Sequence, residues 1–407
     1  MIRKTFYAIL FAVFSSLYLQ AQTFFSTKGK DIIGIDGKPF QIKGTNLGNW
    51  LVPEGYMFLF KDANSPRLIN ETITELIGPA EARIFWKRYL DVYITEDDIR
   101  YLKSIGMNSI RVPFNYRLFT NENYMGENDS TRGFKLLDKL VGWCRGEKLY
   151  IILDMHCAPG GQTGDNIDDG FGYPFLFESK ESIVQCANIW RRIAAHYKNE
   201  TIIIGYDLLN EPIAHYFNKE KLNPLLEPVY KQIAKSIREV DKNHLLFLGG
   251  AQWDSDFKPF GAPFDSKLVY TFHKYWTAPS RSVIQDYIDF GNKYNVPIYC
   301  GETGENNDTW VETFRKMLDS NSIGWHFWPY KKVNNTRGIV TFNKPPSYDS
   351  IIVYANEPKK NFEEIRKHKP FDEKVVKQAL DGFLENCRFK NCTPNLGYIK
   401  ALGFSPR

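Results

Sequence analysis

Residues 201–212 read TIIIGYDLLNEP, an apolar, β-branched run that stops abruptly on an amide, a carboxylic acid and a proline. Near-continuous hydrophobicity over this length fits a strand buried on both faces, the condition of a parallel sheet covered by helices. Seven other runs share the form and also end on polar residues: QIKGTNLGNW (41–50), NSIRVPFNY (108–116), LYIILDMH (149–156), HLLFLGG (244–250), LVYTFHKY (268–275), VPIYCGETGE (296–305) and SIGWHFWPY (322–330). Between most of them lie stretches of helical period, such as 95–106, 182–197 and 225–240, with apolar residues three and four apart. Eight strands alternating with helices predict a closed (β/α)8 TIM barrel. The rival, a doubly wound open sheet, usually carries Gly-x-Gly-x-x-Gly after its first strand, and none follows here.

DIIGIDGKPFQIKG (31–44) predicts a hairpin turning at Asp36-Gly37 and capping the barrel bottom. Residues 331–407, with helical stretches at 361–368 and 372–386, predict a C-terminal extension of the same catalytic unit, 22–407. MIRKTFYAILFAVFSSLYLQA has the basic start, apolar middle and small closing residue of a secretory signal, so 1–21 is expected to be removed and the protein to be secreted, periplasmic or on the cell surface.

Composition narrows the partners. At 407 residues, 43% hydrophobic and 15% aromatic, the chain can bury a large core and is not a disordered one. A formal charge of +5 is small for this size, which argues against nucleic acid or an anionic membrane as partner, and a monomer without membrane insertion is expected. Six cysteines could pair in an oxidising compartment, Cys387 with Cys392 being the most plausible local pair, while Cys300 reads as a buried thiol. No Cys/His spacing suits zinc, so neither a metal nor another cofactor is expected.

Barrel chemistry sits where the strands end, because the loops that follow them converge on the axis. Those ends carry Arg111 and Asn115, Asp154 and His156, Asn210 and Glu211, His273 and Tyr275, Glu302 with Glu305 beyond it, and Trp325 and Trp328. Singly, each has an ordinary reading: a structural ion pair for Arg111, core hydrogen bonding for the histidines, packing for the tryptophans, a helix N-terminal acid for Glu211. Around one mouth they have to be explained together. Two acids facing each other suit glycoside hydrolysis, which needs one carboxyl with a raised pKa to protonate the leaving oxygen and one ionised to attack the anomeric carbon. Arg111 and Tyr275 are placed to hold Glu302 ionised, Asn210 to bind the sugar 2-hydroxyl, and Trp328 to offer a flat face to the ring. Glu54 and Trp253 are candidates for contacts beyond the first sugar site, and the insertion 52–94 and the loop 157–181 for closing one end of the cleft.

The set GTNLGNWL, RVPF, DMHCAPGGQ, LLNEP, HKY, GETGE and GWHFW, spread over residues 44–328, resembles glycoside hydrolase family 5. The resemblance implies a retaining (β/α)8 glycosidase in which Glu211 is the general acid/base and Glu302 the nucleophile. It also implies that Arg111, His156, Asn210, His273, Tyr275 and Trp328 orient the nucleophile and bind the −1 sugar. NLGNW with DMHCAPGG is most similar to the branch holding exo-acting β-1,3-glucanases and related β-glucosidases, so the implied substrate is a β-glucan or related β-glycoside. Mannan, glycolipid and furanoside substrates use the same machinery, as does transglycosylation. The rival classes are a non-catalytic carbohydrate-binding barrel and a metal-dependent hydrolase or isomerase built on His156, Glu211 and His273.

Overall fold

Eight parallel strands close into one barrel in the computed structural model, which describes residues 24–370 and 372–405. They are β1 (Lys43–Asn46), β2 (Ser109–Asn115), β3 (Tyr150–Cys157), β4 (Ile203–Asp207), β5 (Leu245–Gly249), β6 (Leu268–Tyr275), β7 (Ile298–Gly304) and β8 (Gly324–Trp328). Each pairs with its sequence neighbour, and β8 returns to β1 with Trp325 opposite Lys43. The expected signal segment 1–21 lies outside the described residues.

Amphipathic helices cover the outside. The helix Lys180–Tyr197 starts on Ser179, whose hydroxyl accepts from the Ser182 N–H, and buries Cys186, Ile189, Trp190 and Ile193 along one stripe. The connection after β5 departs from the pattern. It has only the short turn Ala251–Asp254, because Pro259, Gly261 and Pro263 in the stretch that follows withhold donors and rigidity from a helix.

At the barrel bottom, Phe25 and Ile32 close over Ile152, Ile204, Leu245, Phe247, Val269 and Tyr299. The hairpin that supplies them lies earlier than expected, Ser26–Lys28 pairing with Asp31–Ile33. Its turn holds Gly29 at φ 59°, a conformation glycine adopts without strain, whereas beyond Asp36-Gly37 the returning chain makes a single bridge, Ile33 to Pro39. Proline has no N–H with which to extend a ladder.

The insertion after β1 and the C-terminal extension pack on each other. Helices Pro66–Ile77 and Pro79–Val92 meet helix Glu373–Asn386, with Phe58 stacked on Phe383 at 5.0 Å. A buried ion pair, Lys331 to Asp98 at 2.8 Å, ties the start of the extension to the barrel helix Glu96–Ile105. Trp86 is wholly buried in this packing and does not reach the cleft. The expected Cys387–Cys392 disulfide is absent. All six cysteines are free thiols, and the Cys392 sulfur points at the backbone carbonyls of Asn386, Cys387 and Arg388.

Candidate active site

β4 leaves the ladder at Asp207, four residues before the acid that closes the opening stretch. Leu208, Leu209 and Asn210 continue inward without strand pairing, and Glu211 turns out of the core at φ 45°. A left-handed glutamate is strained by about 1–3 kcal/mol and persists only where the surroundings hold it. Here the loop after β3 does so: Gln162 Nε2 donates to the Asn210 carbonyl at 2.8 Å, Thr163 Oγ1 to the Glu211 carbonyl at 2.8 Å, and the Ile213 N–H to the Gln162 carbonyl at 2.8 Å. The following helix does not begin until Lys219, so Glu211 is not a helix N-terminal acid.

Glu211 and Glu302 face each other, with oxygens within 4.8 Å. The Arg111 guanidinium donates to Glu302 Oε1 at 2.6 Å, and the Tyr275 hydroxyl to Oε2 at 2.9 Å. Among the described residues no lysine or arginine pairs with Glu211. His273 Nδ1 lies 2.9 Å from its Oε1, and burial foremost pushes the Glu211 carboxyl up to about 7. Burial also takes His156 down to about 4 and His273 down to about 3, so both rings are neutral near pH 7.

Beneath the pair, Arg111 is wholly buried and also reaches Asp207 Oδ2 (2.8 Å), Asp154 Oδ1 (3.1 Å), Asn210 Oδ1 (2.9 Å) and Asn46 Oδ1 (3.2 Å). Burial lifts Asp154 and Asp207 to about 7 in spite of the guanidinium. One cation thus serves three carboxyls. Arg111→Ala is expected to destabilise the fold by about 3–5 kcal/mol, the usual cost of stranding buried charge partners, as read by chemical denaturation.

A cavity of 540 Å³ opens above these groups. His156, Glu211, His273, Tyr275, Glu302 and Trp328 line it, whereas Arg111 and Asn210 lie fully buried under its floor. The Trp328 and His156 rings are stacked, 5.7 Å apart at 6°, and His156 Nδ1 is braced by Asp154 at 2.8 Å. Trp325, on the same strand, points the other way into the core against Phe404. A larger depression of 1030 Å³ lies away from the strand ends, by Glu122, Lys180 and Arg192, and does not gather these groups.

Glu54 and Trp253 both reach the cavity, as does Ile167 from the loop after β3. Tyr56 comes from the insertion 52–94 expected to close the cleft, and its hydroxyl accepts from Trp328 Nε1 at 2.7 Å. Two participants were missed. Lys332, from the extension, pairs with Glu305 and sits over the Tyr56 ring. Asp207 was legible as a charge inside the apolar opening run.

The family model described as cellulase, glycosyl hydrolase family 5, matches residues 70–334. This chain belongs to glycosyl hydrolase family 5. A β-xylosidase of Phanerodontia chrysosporium is 32% identical over 81% of this chain and 75% of its own length. Endoglucanase C of Acetivibrio thermocellus is 27% identical over 63% of this chain and 89% of its own. Among solved structures, an endogalactoceramidase superposes with TM-score 0.61 at 14% identity, covering 94% of this chain and 86% of that one. The catalytic domain of a Thermobifida fusca endoglucanase does so with TM-score 0.52 at 15% identity, covering 89% and 98%. These structural likenesses speak for the barrel alone. As a family 5 member the protein is a glycosidase of β-glycosides, and no helix among its described residues is long and apolar enough to cross a membrane.

Proposed function

We propose that the protein is a secreted, retaining β-glycosidase that removes terminal sugars from a β-glucan or xylan-type chain. The observation that carries the mechanism is the unequal setting of two facing acids: Glu302 held by Arg111 and Tyr275, Glu211 buried without a cation and within 4.8 Å of it. Retaining glycosidases keep their carboxyl groups about 5–5.5 Å apart, inverting ones about 6.5–9.5 Å. A Glu302 oxygen attacks the anomeric carbon as the bond to the leaving oxygen breaks, and the Glu211 proton passes to that oxygen. Glu211, now a carboxylate, takes a proton from water while the water oxygen displaces Glu302 from the sugar, which restores both groups.

Two features support action at a chain end. Glu54, Tyr56 and Glu305 wall the cavity beside Trp328, braced by the Tyr56–Trp328 hydrogen bond and the Lys332–Glu305 pair. Glu54 is 6% exposed with Oε1 unpartnered, and burial with the charges of Glu302, Glu305 and Glu211 raises its pKa. The relatives named β-xylosidase and glucan 1,3-β-glucosidase agree with a terminal cut. On the opposite side Trp253 and Trp276, the latter 73% exposed, offer apolar faces to the leaving group. Secretion is supported by the signal-like order of residues 1–21.

The test is digestion of β-glucans, xylan, mannan and aryl β-glycosides by the purified protein, with products resolved by size. Monosaccharide as the first product from glucan or xylan supports the reading. Oligosaccharides as first products would replace end cleavage by internal cleavage, and no release from any substrate would overturn the assignment.

A further inference from the structure

Behind His273 lies a carboxyl that the reaction as described does not use. Asp254 closes the short turn after β5, in which Gln252, Trp253 and Asp254 all have positive φ (51°, 63° and 56°). Three successive non-glycine residues in the left-handed region are held there by their surroundings, at about 1–3 kcal/mol each. The turn sends the Asp254 side chain back under the barrel mouth, where it is wholly buried. Its Oδ2 comes 3.2 Å from His273 Nε2, and its Oδ1 lies so close to the Gly249 backbone that a Cβ there would be only 2.0 Å away. A Cβ on Gly301 would similarly fall 2.8 Å from His273 Nε2. Two glycines, Gly249 at the end of β5 and Gly301 within β7, therefore make the room in which this contact forms.

The surroundings decide which form of the carboxyl fits. Among the described residues no donor makes a hydrogen bond to either Asp254 oxygen, His273 Nε2 is likewise without a hydrogen-bond partner, and the charges that bear on Asp254 are Asp207, Glu211 and Glu302, with Arg111 as the opposing cation already shared by others. A carboxylate without a donor is costly to bury, so the neutral acid is the form favoured here, and its proton has His273 Nε2 beside it. His273 is itself neutral, and a neutral imidazole donates from one nitrogen and accepts at the other. Its Nδ1 lies 2.9 Å from Glu211 Oε1.

Were Asp254 ionised, the ring proton would sit on Nε2, and Nδ1 would turn a lone pair to Glu211. That lone pair would draw the Glu211 proton away from the substrate, and would oppose Glu211 once it became a carboxylate. With Asp254 neutral, the chain from Asp254 O–H to Nε2, and from Nδ1–H to Glu211 Oε1, is satisfied in both protonation states of Glu211. We propose that Asp254 is a positioning residue that fixes His273 in the Nδ1–H tautomer, so that His273 always donates to Glu211 Oε1 and the transferable proton stays on Oε2. This rests on Glu211 being the acid/base.

Two measurements on the full chain test it. In protein labelled with ¹⁵N-histidine, the His273 ring is assigned by its loss in His273→Gln, and long-range proton–nitrogen correlation reads which nitrogen carries the proton. Nδ1–H in the unaltered protein supports the proposal, and Nε2–H overturns it. In kinetics, Asp254→Val is expected to slow glycosides with poor leaving groups about tenfold more than dinitrophenyl glycosides, which need little acid assistance, with Asp254→Asn recovering most of the difference. Equal losses on both substrate classes would overturn the proposal, and the tautomer measurement decides the matter if Asp254→Val does not fold. Equal losses on both substrate classes in Glu211→Ala as well would instead locate the failure in the acid/base assignment.

Discussion

Glu302→Ala is expected to lower kcat by roughly 10⁴- to 10⁶-fold on every substrate the enzyme cleaves, the scale on which removal of an attacking group acts. The loss is uniform because the proposed first step, attack on the anomeric carbon, has no other group placed to make it. Arg111 and Tyr275 both donate to Glu302, and without the carboxylate they hold nothing at the reacting centre. A small anion such as azide can enter the space the side chain leaves and attack the same carbon. Recovery of turnover with azide, giving a glycosyl azide of inverted configuration, is the expected signature. Residual activity above about one per cent, with no response to azide, would remove Glu302 from the role.

Glu211→Ala is expected to behave differently. General acid catalysis contributes about 10²–10⁴-fold, so kcat/KM falls by that much on substrates with poor leaving groups and by far less on dinitrophenyl glycosides. The pH profile gives a second reading. Burial raises the Glu211 carboxyl to about 7, so the proton it must donate is present below that pH and lost above it. The alkaline limb of kcat/KM should therefore fall about tenfold per pH unit above about 7 in the unaltered enzyme, and it should vanish in Glu211→Ala. An alkaline limb that survives the substitution would assign the titration to another group.

The barrel was legible because its strands are buried on both faces, so each reads as one apolar run with polar residues where it emerges. His156, Glu211, His273, Tyr275, Glu302 and Trp328 could be gathered from that rule alone, and the structure brings them to one cavity. Depth was not legible. Arg111 and Asn210 sit under the floor, and whether a strand-end side chain such as Arg111 faces substrate or its neighbours depends on partners from four other segments. Nor does local sequence say that Glu211 takes a left-handed turn, since Gln162 and Thr163 of another loop hold it. Tyr56 and Lys332 come from segments outside the repeating strand–helix pattern and meet only when the insertion and the extension pack together. The hairpin slipped by one turn because two glycine-containing turns competed, and Pro39 decided between them.

The proposal stands on a covalent bond between Glu302 and the sugar. It is tested most directly by incubating the protein with the 2-deoxy-2-fluoro glycoside of whichever sugar it releases, then weighing the intact protein and mapping its peptides. The expected result is one added fluoroglycosyl group on the peptide containing Glu302, released slowly with return of activity. A label on any other residue, or turnover of the fluorosugar to the inverted anomer without an adduct, would contradict the double displacement and the role of Glu302 within it.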